Sequence, residues 1–257
     1  MNIIVLLKMV PDVVEELTIA GDGVTLDEEW LRLKVSESDE HALEEAIILK
    51  ERYGGTVTVA ALEAAELDDA LFTAIAKGAD RVVKIVGDWK NYGSPSISKL
   101  FSNFLSTEGY IDNQTLILTG SQAIDDLEGE TIYYLAEELN LPGNSVVTGI
   151  KVDENRLTYI KEFSGGLRGE FEVPLPAVIG VQTAENPPRY VPIAKIRAVM
   201  KTTRIDEIEM PLGDLSKGIT INKLLEPEVS GRAEMLEGSS VEISTRIVDI
   251  LSEKGIF

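Results

Sequence analysis

Apolar positions along the first half of the chain follow two alternating rhythms. Residues 2–7 form a continuous apolar run, the pattern of a parallel strand buried on both faces. Residues 38–52 then place Ala42, Leu43, Ala46, Ile47 and Leu49 on one helical stripe. Ser36, Glu37, Ser38, Asp39 and Glu40 at its start suit caps and the positive end of a helix dipole, and Tyr53-Gly54-Gly55 ends it. The rhythm repeats as a strand at 56–62, a helix at 66–77 stopped by Gly78, a strand at 81–86 and a helix at 96–106. A strand at 114–119 and a helix at 127–140, ending before Pro142, complete it. Strands and helices alternating at this pitch predict right-handed βαβ units around a parallel sheet. A small hairpin is expected at 17–27, around Gly21-Asp22-Gly23.

Past Pro142 the pattern changes. Residues 145–152, 157–163, 169–174 and 177–182 read as strands joined by tight turns, expected to extend or flank the sheet with antiparallel pairing. Residues 210–241 are irregular, with Pro211, Pro227 and scattered glycines, and 241–254 returns to amphipathic helical spacing. An irregular stretch of that length before a terminal helix suggests an arm laid across another subunit. The alternative is a flexible tail. The expected organisation is a doubly wound α/β domain over 1–209, mainly parallel with added antiparallel strands, and a C-terminal arm and helix over 210–257.

Composition narrows the function classes. Hydrophobic residues make up 44 % and charged residues 26 % of 257, ordinary for a soluble globular chain. The net charge of −20 repels phosphate backbones and anionic membranes, so no nucleic-acid partner is expected. With no cysteine there is no disulfide, thiolate nucleophile or cysteine-ligated metal. Residues 1–7 lack a basic leader and are followed by Lys8, Pro11 and Asp12, so they read as a strand and not a signal peptide. No stretch reaches transmembrane length. A soluble, cytoplasmic protein without direct membrane insertion is expected. His41 is the only histidine, which rules out a usual zinc site; it reads as a partly exposed structural residue, and no metal site is assigned. No nucleophile motif, P-loop or G-x-G-x-x-G fingerprint occurs, and no catalytic residue is assigned.

The segment that can carry chemistry is 118–131, between an apolar strand and a helix. Gly120 permits a tight turn at the carboxyl end of the strand, the edge where open α/β sheets bind ligands. Gly129, Glu130 and Thr131 stand where unpaired N–H groups at a helix start can hold a phosphate, helped by the Thr131 hydroxyl. An acidic loop that merely caps a helix explains the same residues, and the sequence leaves both readings open. Asp125, Asp126, Glu128 and Glu130 suit phosphate badly: they must point away, bind a ribose or contact another subunit. Leu6, Leu7 and Lys8 end the first strand, where backbone groups can read an adenine edge and Lys8 can neutralise a phosphate. Ser36 and the loop after Leu62 fall at the same sheet edge.

Several segments, in order and in register, resemble the electron transfer flavoprotein beta family. They are Val5-Leu6-Leu7-Lys8-Met9-Val10-Pro11-Asp12, Asp39-Glu40-His41-Ala42-Leu43-Glu44-Glu45-Ala46, Ala76-Lys77-Gly78-Ala79-Asp80-Arg81 and Gly120-Ser121-Gln122-Ala123-Ile124-Asp125-Asp126, with Leu175-Pro176-Ala177-Val178 and Pro188-Arg189-Tyr190 following. The resemblance implies a Rossmann-like fold that binds an adenine nucleotide, AMP or a second FAD. It assigns to the nucleotide Leu6, Leu7, Ser36, Leu62, Ala123, Asp126, Gly129, Glu130 and Thr131, with Ser36 standing where many members have asparagine and Glu130 where many have glutamine. The flavin of ordinary members sits mainly on the alpha subunit. The segment 189–196 takes the place of the family's partner loop, so Ile193 is expected to dock into an acyl-CoA dehydrogenase, with Arg189, Lys195 and Arg197 as a basic rim. Otherwise Ile193 begins a core-facing helix, since Ile193, Ile196 and Met200 share helical spacing. The resemblance implies an electron carrier rather than a stand-alone enzyme. The alternatives are an electron-bifurcating flavoprotein that oxidises NADH at a second FAD, a non-redox adenine-nucleotide module, and an enzyme that activates substrates with ATP; the last is disfavoured by the missing P-loop.

Overall fold

Strand β1 (Asn2–Leu7) shows why an unbroken apolar run is needed: Ile3, Val5 and Leu7 are buried on one face of the sheet, Ile4 and Leu6 on the other. The computed structural model describes residues 1–257 except 91, 108, 212–219, 227–232, 234 and 257. After β1 come the short β2 (Met9–Pro11) and β3 (Leu33–Val35), α1 (Glu37–Tyr53), β4 (Thr56–Leu62), α2 (Leu67–Lys77), β5 (Arg81–Val86) and α3 (Ser94–Thr107). There follow β6 (Thr115–Gly120), α4 (Thr131–Leu139), β7 (Gly143–Asp153), β8 (Arg156–Glu162), β9 (Arg168–Pro174), β10 (Ala177–Val181), α5 (Ile193–Thr202) and β11 (Asp206–Glu209).

The main sheet has nine strands in the order β11-β5-β4-β1-β6-β10-β7-β8-β9. All neighbours are parallel except β7–β8 and β8–β9. Residues of α1 and α2 close one face of the sheet and residues of α3 and α4 the other, forming two cores. This is the doubly wound α/β fold read from the sequence. The chain steps outward from β1 through β4 to β5, then returns to place β6 on the other side of β1. The order therefore reverses between β1 and β6, and the carboxyl ends of those strands form a topological switch point.

The structure corrects several expectations. The helix expected at 127–140 begins at Thr131, because 121–130 is a loop. Ala123 and Asp126 exchange backbone hydrogen bonds (3.2 and 3.0 Å), and Gly129 sits at φ 62°, which no helix continues. Within the nine-stranded sheet only β7, β8 and β9 pair antiparallel; β10 lies inside the sheet, parallel to both β6 and β7. Its five residues are all buried, so it needs the two-sided cover that central parallel strands receive. The small hairpin expected at 17–27 is present: Ile19 and Leu26 form an antiparallel bridge, the Ala20 N–H donates to the Thr25 carbonyl (2.9 Å) and the Asp27 N–H to the Thr18 carbonyl (2.8 Å), and the Asp22 carboxylate accepts from the Val24 and Thr25 N–H groups (2.9 and 3.0 Å). The β2–β3 pair and β11 were not read from the sequence, since three or four residues carry too little period to detect.

The chain divides into two compact units, Met1–Lys223 and Leu224–Phe257. The second contains α6 (Ser240–Glu253), started by a capping box in which Ser239 and Glu242 satisfy each other's N–H groups. Of the irregular stretch expected at 210–241, residues 212–219, 227–232 and 234 lie outside the described residues. Among the described residues, no helix is long and apolar enough to cross a membrane.

Candidate functional site

At the switch point lies an open cavity of about 820 Å³. It is lined by the end of β1 (Leu6, Leu7, Lys8), the loop after β4 (Leu62 to Ala65), the loop after β5 (including Trp89) and the 119–126 segment. The first turns of α3 and α4 complete it with Ser94, Ile97, Gly129, Thr131 and Ile132, and Glu28, Leu31 and Leu33 face it from the 12–35 segment. The Lys90–Glu28 ion pair joins that segment to the loop after β5.

The walls differ in chemistry. Trp89 is buried and its ring N–H donates to the Ile85 carbonyl (3.0 Å), while its ring stands edge-on to Tyr92. With Leu6, Leu62, Ile97 and Phe101, these rings give a broad apolar surface able to take a flat heterocycle. The start of α4 also lines the cavity; there the Tyr133 N–H is taken by the Glu130 carbonyl (3.0 Å), while helix geometry leaves the Thr131 and Ile132 N–H groups without an intrahelical acceptor and favours an anion. Gly129 is required there: a Cβ would lie 2.4 Å from the Ser121 carbonyl oxygen.

The acids that suit an anion badly are mostly satisfied within the chain. Asp125 pairs with the Lys8 ammonium (2.7 Å). Asp126 Oδ2 accepts from the Ser94 hydroxyl (2.8 Å) and from the Thr131 hydroxyl (3.3 Å). Glu128 and Glu130 are exposed. Leu6, Leu7, Lys8, Leu62, Gly120, Ala123, Asp126, Gly129 and Thr131 thus come together around one cavity. Ser36 and Glu130 are not among its lining residues. Buried Ser36 ties the start of α1 to the site loop, its hydroxyl donating to the Gln122 carbonyl (3.4 Å), and Glu130 stands at the N-cap position of α4 with its side chain making no capping hydrogen bond.

Sequence reasoning missed Ser94, Trp89, Tyr92 and the role of Asp39. Asp39 was read as a helix-start acid, yet its carboxylate reaches the backbone N–H groups of both Lys8 and Gly120. Burial pushes its carboxyl up to about 7, against those two donors, which favour the charged form. The rule that open sheets bind at the carboxyl edge already points to the loop after β5, and it was the available signal for Trp89.

In the segment 189–196, Arg189 of the expected basic rim is engaged within the chain, while Lys195 and Arg197 are exposed. The Arg189 guanidinium is committed to Glu51 (2.7 Å) and Glu44 (2.9 Å), whose hydrogen bonds raise its pKa. Its backbone N–H also donates to Glu44 (2.9 Å). Glu45 accepts from the Glu185 N–H (2.9 Å) and His41 Nδ1 from the Ala184 N–H (3.2 Å), so His41 has a structural task. Five side chains of α1, those of His41, Glu44, Glu45, Glu51 and Arg52, therefore hold the 184–189 strap ahead of α5, Arg52 through the Glu185 carboxylate (2.7 Å). Lys195 is exposed on α5, and Ile193, 62 % exposed at its first position, does not face the core.

The sequence model of the electron transfer flavoprotein domain matches residues 23–211. The chain is also 30 % identical to the electron transfer flavoprotein subunit beta of Clostridium acetobutylicum, across 99 % of both chains. The chain belongs to the electron transfer flavoprotein beta subunit family. Other relatives include the subunit beta of Methylophilus methylotrophus, 28 % identical over 98 % of both chains. The mitochondrial subunit beta of Oryza sativa subsp. indica is 30 % identical over 80 % of this chain and 83 % of its own. Membership makes the broad role electron transport. The family match takes in the cavity loops after β4, β5 and β6 and the Arg189 strap.

Proposed function

We propose that the chain binds an adenine nucleotide, AMP or FAD, in the switch-point cavity and acts as the beta subunit of a heterodimer with an electron transfer flavoprotein alpha subunit. The heterodimer passes electrons between a flavoprotein dehydrogenase, such as an acyl-CoA dehydrogenase, and an acceptor. The observation that supports this best is the pairing, in one cavity of about 820 Å³, of an apolar aromatic wall with the N-terminus of α4.

The lining suits the group. Leu6, Leu62 and Trp89 would hold the base, and the Thr131 and Ile132 N–H groups of α4, with the Thr131 hydroxyl, the phosphate. Asp125 is paired with Lys8, and Asp126 Oδ2 keeps the Ser94 hydroxyl (2.8 Å) when the Thr131 hydroxyl turns to the phosphate, so both carboxylates retain partners within the chain. A bound flavin supplies the redox chemistry, while the chain supplies position and electrostatics. Ile193 is assigned to docking of the dehydrogenase, with Lys195 beside it, and Arg189 to holding the strap that carries both. Residues 210–257 are assigned to the contact with the alpha subunit, and the complex to the cytoplasm.

The test is mass analysis of the small molecules released when the purified heterodimer is denatured. AMP or ADP, or a second FAD beyond the one carried by the alpha subunit, is expected in stoichiometric amount. A single FAD with no AMP or ADP defeats the nucleotide reading for this chain.

A further inference from the structure

Strands β1 and β6 pair only as far as Val5 and Leu118. Beyond those residues β1 continues to Leu7 and β6 to Gly120, and both parted ends line the cavity. One side chain spans them. Asp39 Oδ2 accepts the Lys8 N–H at 2.9 Å, and Oδ1 accepts the Gly120 N–H. The same turn makes two more ties: the Ser36 N–H donates to the Lys8 carbonyl (2.9 Å) and its hydroxyl to the Gln122 carbonyl (3.4 Å). The approach is so close that a Cβ on Gly120 would lie 2.7 Å from both Asp39 Oδ1 and Ser38 Cβ.

Burying a carboxylate is costly unless its oxygens are satisfied, and packing alone would have suited an apolar residue here. Asp39 is 5 % exposed and directs one oxygen to each strand end. We propose, resting on the nucleotide reading above, that Asp39 is a positioning residue: its carboxylate fixes the separation of the β1 and β6 ends, so that Leu6 to Lys8 and the 119–126 segment face the ligand together. Protonation places an O–H on one oxygen and weakens the strap at one end. Burial brings the titration of Asp39 to about 7, so the strap changes state across the neutral range. The charged groups acting on it are Lys8 from the end of β1 and Asp125 from the loop after β6, which are themselves paired.

The experiment compares the nucleotide-stripped heterodimer with its Asp39→Asn variant. Two quantities are measured: hydrogen exchange at the Lys8 and Gly120 amides, and affinity for adenosine, an uncharged probe whose own phosphate titration does not intrude. Asp39→Asn is expected to speed exchange at both amides and to weaken adenosine roughly tenfold, as for one lost hydrogen bond to a charged group. Wild-type affinity is expected to fall roughly fivefold from pH 8 to pH 6, following the ionised fraction of a group titrating near 7 whose protonated form binds about tenfold more weakly, and the variant's to stay flat. A flat wild-type profile overturns the pH dependence, and the positioning role is then decided by the variant alone. Wild-type affinity and exchange in Asp39→Asn overturn it while leaving the nucleotide reading intact. If wild type retains no adenine compound at all, the nucleotide reading and the positioning role both fall, and exchange in the variant then reports only whether the strap exists.

Discussion

Arg189→Met removes a guanidinium, keeps much of its apolar stem, and separates two roles for one residue. On the docking-rim role the residue is a surface charge and its loss is nearly neutral for stability. The structure shows instead that its Nε lies 2.9 and 3.1 Å from the two Glu44 oxygens, and its terminal nitrogens 2.7 and 3.2 Å from those of Glu51. The Glu44 side chain is 3 % exposed, against 29 % for Arg189. After the substitution Glu44 keeps only the Arg189 backbone N–H, and a buried carboxylate loses its counter-charge. Breaking a buried pair costs ~3–5 kcal/mol; the partial exposure of Arg189 admits water and lowers the expectation to about 2–3 kcal/mol. For a chain of this size that corresponds to a fall of roughly 5–10 °C in Tm. Urea unfolding of wild type, Arg189→Met, Glu44→Gln and the double variant gives the coupling directly. The double variant should be less destabilised than the sum of the singles by more than about 1 kcal/mol. A single variant within about 0.5 kcal/mol of wild type, or an additive cycle, refutes the buried-clamp account. Retained stability with lost electron transfer would return Arg189 to the docking rim.

Gly129→Ala should cost about 1–2 kcal/mol for a side chain in the left-handed region. It should also deplete the released adenine nucleotide, because a Cβ 2.4 Å from the Ser121 carbonyl forces the 121–130 loop to move. Full nucleotide content in that variant would show that the loop shape does not make the site. Ile193→Ala should leave the melting curve and flavin content of the heterodimer near wild type, since the residue is 62 % exposed. Electron transfer from the dehydrogenase should drop about tenfold or more, matching the ~1.5–3 kcal/mol of one buried aliphatic side chain. Unfolding, or flavin loss with transfer unchanged per folded molecule, would remove Ile193 from docking.

What the sequence alone determined is what short-range pattern encodes. The unbroken apolar run of β1, the stripe of α1 and the strand–helix alternation to α4 follow from periods of two and 3.6 residues, and they dictate a parallel, doubly wound sheet. The turn after β6 was legible from Gly120 at the strand end, but not its length: the sequence placed the helix start at 127, and the loop runs to 130. The strand β10 shows the limit: five apolar residues announce a buried strand, but the backbone of Ala177–Val181 carries no mark of whether its neighbours run parallel or antiparallel. Only the tertiary structure decided the partners of charges. Arg189 and Glu44 are 145 residues apart, and Gly120 and Asp39 are 81 apart. Nothing local distinguishes a clamped arginine from an exposed one, or a carboxylate strap from an ordinary helix-start acid. Burial and long-range geometry set those energies, and both exist only once distant segments have been packed together.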